Sequence, residues 1–396
     1  MHSLLSFRLP KYNKINEKIF NDDTITLTPF MVKPLFSLGY HHFIDRTREA
    51  LSIVNKLDSK NEFYYVVNNF EPEISDYKDN IKNLTKVYIN DIDKYFSKDF
   101  YKIWEILFIF DVINPKFKNI ISLSYTSDKL NDDCVNCINK FSEKILNKDT
   151  SEFNFKKTKT DNNIDFIIAI EDSEIVKKNI KKIDNNKEQE SYDLILEELL
   201  DILNLQKKNG NMILKIYDTF TMITLKIIYI ICELYDEVYI YKPLLSRNSE
   251  SEKFLICKNF KYSSSDKILS VIINKIKNIL KEIKSSDKFL NDIFLNLEIP
   301  EDFINNFKFI NTKIVNKQQI LINEIVKYIK ENNYFGDKYH NYRNNQIDST
   351  KWWLNMFFPP SNNLYKISKD NIEKLVKSTN DKNNSEKEKL LASISI

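Results

Sequence analysis

Lys215 and Glu252 are the residues of this 396-residue chain whose placement most invites chemistry, because each falls at the end of a segment that reads as a strand. They belong to NGNMILKIYDTFTMITLKIIYIICELYDEVYIYKPLLSRNSESEKFLICK, Asn209 to Lys258, where two apolar runs lie between polar turns. An amine and an acid at neighbouring strand ends form either an ordinary ion pair at a sheet edge or a charged site that faces a ligand. Other reactive side chains offer less. Cys134 and Cys137 make one C-x-x-C without a second pair or a nearby histidine. That falls short of the four ligands of a structural zinc, so they read as two helical cysteines and no metal is expected. His2, His41, His42 and His340 show no ligand spacing.

Positioning such residues takes a core, and 42% hydrophobic content suffices for one large core or two smaller ones. Lys+Arg 59 against Asp+Glu 56 leaves a charge of +3, so the whole-chain footprint of a dedicated nucleic-acid binder is missing, while a local basic face stays open. The abundance of Ile, Asn, Lys and Tyr fits an AT-rich genome, which lowers the weight of any single Asn or Lys. Four cysteines are too few for a secreted disulfide scaffold, and a reducing, cytoplasmic compartment is expected. The apolar run Met222–Leu234 contains Lys226 and Glu233 and is shorter than the roughly 20 residues of a membrane span, so no membrane is expected.

Periodicity predicts the elements. An N-terminal extension, residues 1–90, reads as a helix over Arg46–Leu57 and a strand over Phe63–Val67. Phe100, Ile103, Trp104, Leu107 and Phe110 recur at helical spacing, predicting a helix over Lys94–Phe110 that ends at Asn114–Lys116. Strands over Ile120–Ser124, Ile164–Asp172 and Asn211–Tyr217 then alternate with helices over Asp133–Leu146, Ser191–Leu205 and Thr221–Leu234. This alternation predicts an α/β domain over residues 91–262 with a mostly parallel sheet. Glu237–Tyr241 and Lys253–Cys257, joined without a helix, read as an antiparallel edge pair. Residues 263–370 read as a helical C-terminal region, with helices over Ser265–Ile283, Phe289–Leu297 and Ile314–Lys330 and its core closed by KWWLNMFFPP, Lys351–Pro360. Residues 371–396 read as a polar tail, mobile from Asp381 onward.

Four pieces of the opening stretch, GNMILK, YKP, SRNSESEK and LICK, stand in the order and spacing of one family. With FYKIWEIL, Phe100–Leu107, they make this chain resemble the FtsJ-like ribose 2′-O-methyltransferases, in particular the mRNA cap branch of eukaryotes and large DNA viruses. The resemblance implies a Rossmann-like methyltransferase fold, S-adenosylmethionine as methyl donor if the protein is active and no cofactor otherwise. It also implies a Lys-Asp-Lys-Glu tetrad, onto which Lys102, Lys215 and Glu252 fall as catalytic candidates. A ribose 2′-OH does not ionise at neutral pH, so a lysine beside it must favour the alkoxide electrostatically or take its proton. Ser246 and Arg247 fall in the loop that would shape the site or meet an RNA phosphate.

Two parts of the family pattern are altered. Aligned on Asp165 and Ala169, the strand puts Ile170 where the family's aspartate belongs and Glu171 one place late; Asp165 itself reads as a cap of the strand's polar end. In the family, an acid-x-P-G-G-φ turn lets the backbone approach the methionine end of the cofactor. Here Ser127, Asp128 and Lys129 occupy that loop, Asp128 and Lys129 replacing the two glycines in a chain that has only Gly39, Gly210 and Gly336. The expectation is therefore a methyltransferase fold, catalytically impaired or inactive, that serves as an interaction subunit of an RNA-processing, capping or transcription assembly. Its expected partner is an active methyltransferase, a capping enzyme or an RNA polymerase, met through residues 265–365, with RNA as a second candidate. The alternative is an active cap or other RNA ribose 2′-O-methyltransferase that uses Lys102, Lys215 and Glu252. The expected location is the cytoplasm, with a virion or virus factory as its viral form.

Overall fold

The computed structural model describes residues 3–11, 25–31, 40–54, 63–71, 98–123, 128–146, 153–156, 163–170, 186–332, 335–359 and 362–394. β1 (Leu5–Arg8), β2 (Thr26–Thr28), α1 (Tyr40–Ala50) and a 3-10 turn over Phe63–Val67 precede the main sheet. α2 (Lys98–Phe110) is buried at every position from Phe100 to Phe110, as a helix apolar nearly all round must be. β3 (Asn119–Leu123), α3 (Asp128–Phe141), a π-helical turn over Ser142–Leu146, β4 (Asn154–Phe155) and β5 (Ile164–Ala169) follow. β5 is buried along its whole length, which is why its sequence is an unbroken apolar run after Asp165. Next come α4 (Tyr192–Leu205), β6 (Gln206–Ile216), α5 (Met222–Leu234), β7 (Tyr235–Lys242) and β8 (Lys253–Phe260). Thr221 caps α5 by accepting the Thr224 amide. The chain closes with α6 (Lys267–Lys284), β9 (Phe289–Asp292), α7 (Glu301–Lys330), α8 (Asp337–Phe357) and α9 (Asn362–Ile394).

Seven strands form one sheet in the order β1-β7-β8-β6-β5-β3-β4. β4, β3, β5 and β6 pair in parallel, and β8 is antiparallel to both β6 and β7. The fold is α/β with a mostly parallel sheet. One face carries α4, α5 and α6, and the other carries α2 and α3. β6 opens on a bulge opposite β5, with Asn209 at φ 64°. A Cβ on Gly210 would lie 2.8 Å from the carbonyl oxygens of Asp165 and Lys207, so the two strands approach too closely there for a side chain.

Several expectations change. The β7–β8 pair is not at the edge: β8 lies between β6 and β7, and β1 from the N-terminal extension pairs antiparallel with β7 and is itself the edge strand. Phe63–Val67 is a 3-10 turn rather than a strand, and Val66 and Val67 pack on Ile325, Tyr328 and Ile329 of α7 instead of joining a ladder. Phe289–Leu297 is not a helix; β9 pairs with β2 in a second, two-stranded sheet. Trp353, Leu354, Phe357 and Phe358 close the α2 face of the main sheet, not a core of the helical region alone. Trp104 stacks on Phe358 at 3.8 Å between ring centroids and donates to the Phe357 carbonyl at 2.7 Å. The segment read as a mobile tail is the body of α9. It is held by buried Ile372, by Asn383 donating to the Ser6 carbonyl at 3.3 Å and by Lys387 donating to Asn306 Oδ1 at 2.8 Å. No helix among the described residues is long and apolar enough to cross a membrane.

Candidate active site

The register of β6 against β8 decides which charges meet. Lys215 pairs with Phe254, and Ile216 pairs with Lys253. Side chains alternate along a strand, so Glu252, two residues before Phe254, leaves on the same face as Lys215. That is the face α2 covers, and Lys102 descends from the first turns of α2. Lys102 Nζ lies 2.7 Å from Glu252 Oε1, and Lys215 Nζ lies 3.2 Å from Glu252 Oε2. Sequence positions 102, 215 and 252 thus converge on one carboxylate at the rim where the parallel strands end, the usual ligand side of such a sheet.

The surroundings fix this cluster. Ser246 Oγ donates to Glu252 Oε1 at 2.7 Å, and Asp99 Oδ1 lies 3.1 Å from Lys102 Nζ. Lys242 Nζ donates to the carbonyls of Glu250 and Glu252, both at 2.8 Å, which pins the loop before β8. Burial disfavours the Lys102 ammonium, but the Glu252 and Asp99 carboxylates outweigh it and hold its pKa above the ordinary lysine value. Burial likewise disfavours the Glu252 carboxylate, yet Lys102, Lys215 and Lys98 hold it well below the usual range. Both groups are ionised at neutral pH. Lys102 therefore stands in this cluster as a cation.

Ile170, at the position the resemblance assigns to an aspartate, follows directly on the end of β5. The last pairs of β5 and β6 are Ile168 with Ile213 and Ala169 with Leu214. Carried one residue further, this register sets Ile170 opposite Lys215, and Ile170 is 5% exposed in the core of the α2 face. Glu171 lies outside the described residues. Asp165 sits at the opposite end of β5, accepting the amides of Lys118 and Asn119 at 3.0 Å each and pairing with Lys207 at 3.2 Å. It caps the strand's polar end, as read from the sequence.

S-adenosylmethionine is the methyl donor of FtsJ-like methyltransferases. Toward its methionine end the chain offers a poor fit. Only four residues, Ser124 to Ser127, join the end of β3 to the start of α3, none of them glycine, and Asp128 and Lys129, which stand for the family's two glycines, open α3 instead of lying in the loop. Ser127 and the side chains of Asp128 and Lys129 lie outside the described residues. Among the described residues no group of three His, Cys, Asp or Glu side chains could hold a metal ion. Cys134 and Cys137 are buried thiols of α3, and burial pushes the pKa of both up.

Arg247 is engaged by the protein itself. Its guanidinium pairs with Glu71 and with Glu250 at 3.0 Å, donates to the Tyr65 hydroxyl at 2.9 Å, and lies 3.6 Å from the Tyr65 ring centroid. Ser246 serves Glu252. Both therefore shape the loop. Sequence reasoning missed Asp99, although its i,i+3 spacing to Lys102 on one helix was a usable signal. It also missed a second cluster on the opposite face, where Asp218 pairs with Arg48 at 2.8 Å and Lys253 at 3.4 Å. Strand alternation could have flagged Lys253 as the residue facing away from Glu252; nothing local marks Arg48.

This sheet order is that of a Rossmann-like α/β fold, with the Lys102–Glu252–Lys215 cluster at its rim. Residues 114–260 match the family described as FtsJ-like methyltransferase. An uncharacterized protein of Acanthamoeba polyphaga mimivirus is 25% identical over 66% of this chain and 66% of its own length. The cap-specific mRNA (nucleoside-2′-O-)-methyltransferase 2 of Drosophila melanogaster is 28% identical over 28% of this chain. The inactive cap-specific mRNA (nucleoside-2′-O-)-methyltransferase 1B of Caenorhabditis briggsae is 25% identical over 41% of this chain. The chain spans only 15% and 18% of the length of these last two relatives.

Proposed function

We propose that this protein holds RNA at the ribose side of an FtsJ-like site without transferring methyl groups by itself, as an interaction subunit of a capping or other RNA-processing assembly. The observation that carries this reading is Ile170. A buried apolar side chain, one residue past the end of β5 and opposite Lys215 when the β5–β6 register is carried that far, stands at the place the resemblance assigns to an aspartate, while Lys102 and Lys215 both contact Glu252. The loop without glycine between β3 and α3 supports the same reading, as does similarity to a relative that is itself named inactive. Lys102 and Lys215 offer cations to an RNA ribose-phosphate, and Glu252 holds them in place. The protein partner is an active methyltransferase, a capping enzyme or a polymerase.

The test is twofold. Calorimetric titration of the full chain with S-adenosylmethionine is expected to give no saturable heat at millimolar ligand, and incubation with labelled donor and capped RNA is expected to leave the RNA unlabelled. Label on a ribose 2′-oxygen that disappears in Lys215→Met overturns the reading. It would establish the second one, an active 2′-O-methyltransferase, which the 2.7 and 3.2 Å contacts of Glu252 with Lys102 and Lys215 favour.

A further inference from the structure

The rim where the parallel strands begin, at the far end of the main sheet from the Lys102–Glu252–Lys215 cluster, is strongly basic. Ile120 of β3, Phe166 of β5 and Asn211 of β6 are level across the sheet. Lys118 lies two residues before that level and Lys215 four after it, so six steps, about 20 Å of strand, separate the two rims. Lys116 and Lys118 lead into β3, Lys207 and Lys208 stand near the start of β6, and Lys258 stands near the end of β8, the antiparallel neighbour of β6. The first four are exposed and Lys258 is half-buried.

Two of these lysines are pushed out of the sheet by its register. Between the pairs Ile164–Gln206 and Phe166–Asn211, one residue of β5, Asp165, faces four of β6, Lys207 to Gly210. The surplus residues bulge outward, and Lys207, Lys208 and Asn209 are all exposed. Gln206 holds the base of the bulge by donating to the Ile164 and Asp165 carbonyls at 3.1 and 3.4 Å, and Asn209, at φ 64°, turns the chain back.

The acids nearby are already engaged. Asp165 accepts the Lys118 and Asn119 amides besides pairing with Lys207. Asp266, on which Lys208 acts electrostatically, accepts the Ser263 amide and hydroxyl at 2.6 and 3.0 Å. Glu237, opposite Lys258, meets Arg8 at 3.4 Å and accepts the Tyr239 hydroxyl at 2.9 Å. Positive charge is thus in surplus here, in a chain whose total is only +3. The pattern suits carboxylates better than a nucleic acid. All five cations are lysines, point charges without the arginine fork that matches phosphate. The neighbouring rings of Phe117, Phe260 and Tyr262 pack on the core instead of standing out as a platform for bases.

The geometry points to this rim as the docking face for an acidic, extended segment of a protein partner. This inference rests on the interaction-subunit function proposed above and gives that partner's contact a place and a chemistry; it leaves the opposite rim open to a ligand.

Titration of the full chain with fluorescent polyglutamate over a salt series tests it. Saturable binding that weakens with salt is expected. The double variant Lys118→Glu, Lys208→Glu should weaken it about tenfold or more, and Lys118→Gln, Lys208→Gln by less. Both positions are exposed, so an unchanged thermal midpoint is expected and separates binding from folding. Lys327→Glu, Lys330→Glu, which makes the same charge change at the exposed end of α7, should stay within about twofold of the native chain. Equal weakening by the two charge reversals would reduce the effect to net charge and overturn the proposal, as would a native chain that binds no polyglutamate. Displacement of polyglutamate by a smaller charge equivalent of oligouridylate would make the rim a nucleic-acid surface and overturn it too. None of these readouts involves donor binding or methyl transfer, so failure here leaves the function proposed above to its own test.

Discussion

The two faces of the β6–β8 ladder carry the same charge inventory to different ends. On the α2 face one carboxylate, Glu252, meets Lys102 and Lys215; on the other face one carboxylate, Asp218, meets Arg48 and Lys253. Alternation along two strands sorts them, since Lys253 follows Glu252 directly and pairs with Ile216, the residue after Lys215. The second cluster is closed on itself. Arg48 forks onto both Asp218 oxygens at 2.8 and 3.1 Å and reaches Gln318 of α7 at 3.1 Å, and Lys253 also donates to the Ser251 carbonyl at 2.8 Å. Its ion-paired side chains are only 1–4% exposed. The first cluster leads outward, through Lys102 to Asp99, whose side chain is 41% exposed. A cluster sealed by its own chain ties α1 and α7 to the sheet, whereas one that reaches toward solvent can serve a ligand.

The largest expected effect falls on the sealed cluster. Asp218→Ala would leave Arg48 and Lys253 buried without their acid, and removing one partner of a buried pair costs roughly 3–5 kcal/mol. Urea unfolding should show that loss in full. Glu252→Ala should cost less, because Lys102 keeps Asp99 and lies nearer solvent. Equal losses would erase the distinction between the two clusters.

A pH series sharpens the contrast with a third buried carboxylate. Glu105, one turn after Lys102, accepts from the Tyr241 hydroxyl, from the Leu244 amide at 2.8 Å and from Trp353 Nε1 at 2.7 Å, all neutral donors. Burial outweighs these donors and pushes its pKa up to about 7, from an ordinary 4.5. The signs are therefore opposite. Glu105 stabilises the fold fully below pH 4.5, and that stability is lost as the pH rises toward 7, on the order of 3 kcal/mol across the window. Asp218 and Glu252 are depressed by their cations against burial, so their stabilisation is present above the ordinary carboxylate range and is lost as the pH falls through their lower folded values. Urea midpoints measured from pH 3 to 8 should lose their decline between 4.5 and 7 in Glu105→Gln while keeping the acid limb. A parallel drop in both limbs would refute the assignment.

What the sequence revealed follows the same division. β3, β5 and β6 were legible because strands buried on both faces must be continuous apolar runs, and the β6–β8 register follows once both strands are placed. The convergence of Lys102, Lys215 and Glu252 was legible only through resemblance, since no spacing rule links positions 102 and 252. Pairing at sheet edges was not legible. LSFR of β1 is too short to announce itself, and FYYVV has strand propensity but packs on α7 as a 3-10 turn, because neighbours decide where such a run goes. FLND of β9 is likewise placed by its partner β2. α9 escaped notice because its polar surface matches a disordered composition, while only a few positions such as Ile372 and Leu375 anchor it.

The smallest expected effect bears most directly on the α2-face cluster. Ile168 on β5 and Ile170, one residue past its end, are both buried, but the register sets Ile168 opposite Ile213 and, carried one residue past the strand, Ile170 opposite Lys215. A carboxylate at 170 would find an ammonium; one at 168 would find only hydrocarbon. Ile170→Asp is therefore expected to cost about 1–2 kcal/mol, against more than about 3 kcal/mol for Ile168→Asp, where the charge must be buried unpaired or neutralised. Urea midpoints of the two variants at pH 7 measure the difference. Because the β3–α3 loop would still lack glycine, Ile170→Asp should complete the charge pattern and yet transfer no methyl group. Transfer in that variant alone would place the whole deficit at position 170, and equal destabilisation by the two aspartates would mean that position 170 does not face Lys215.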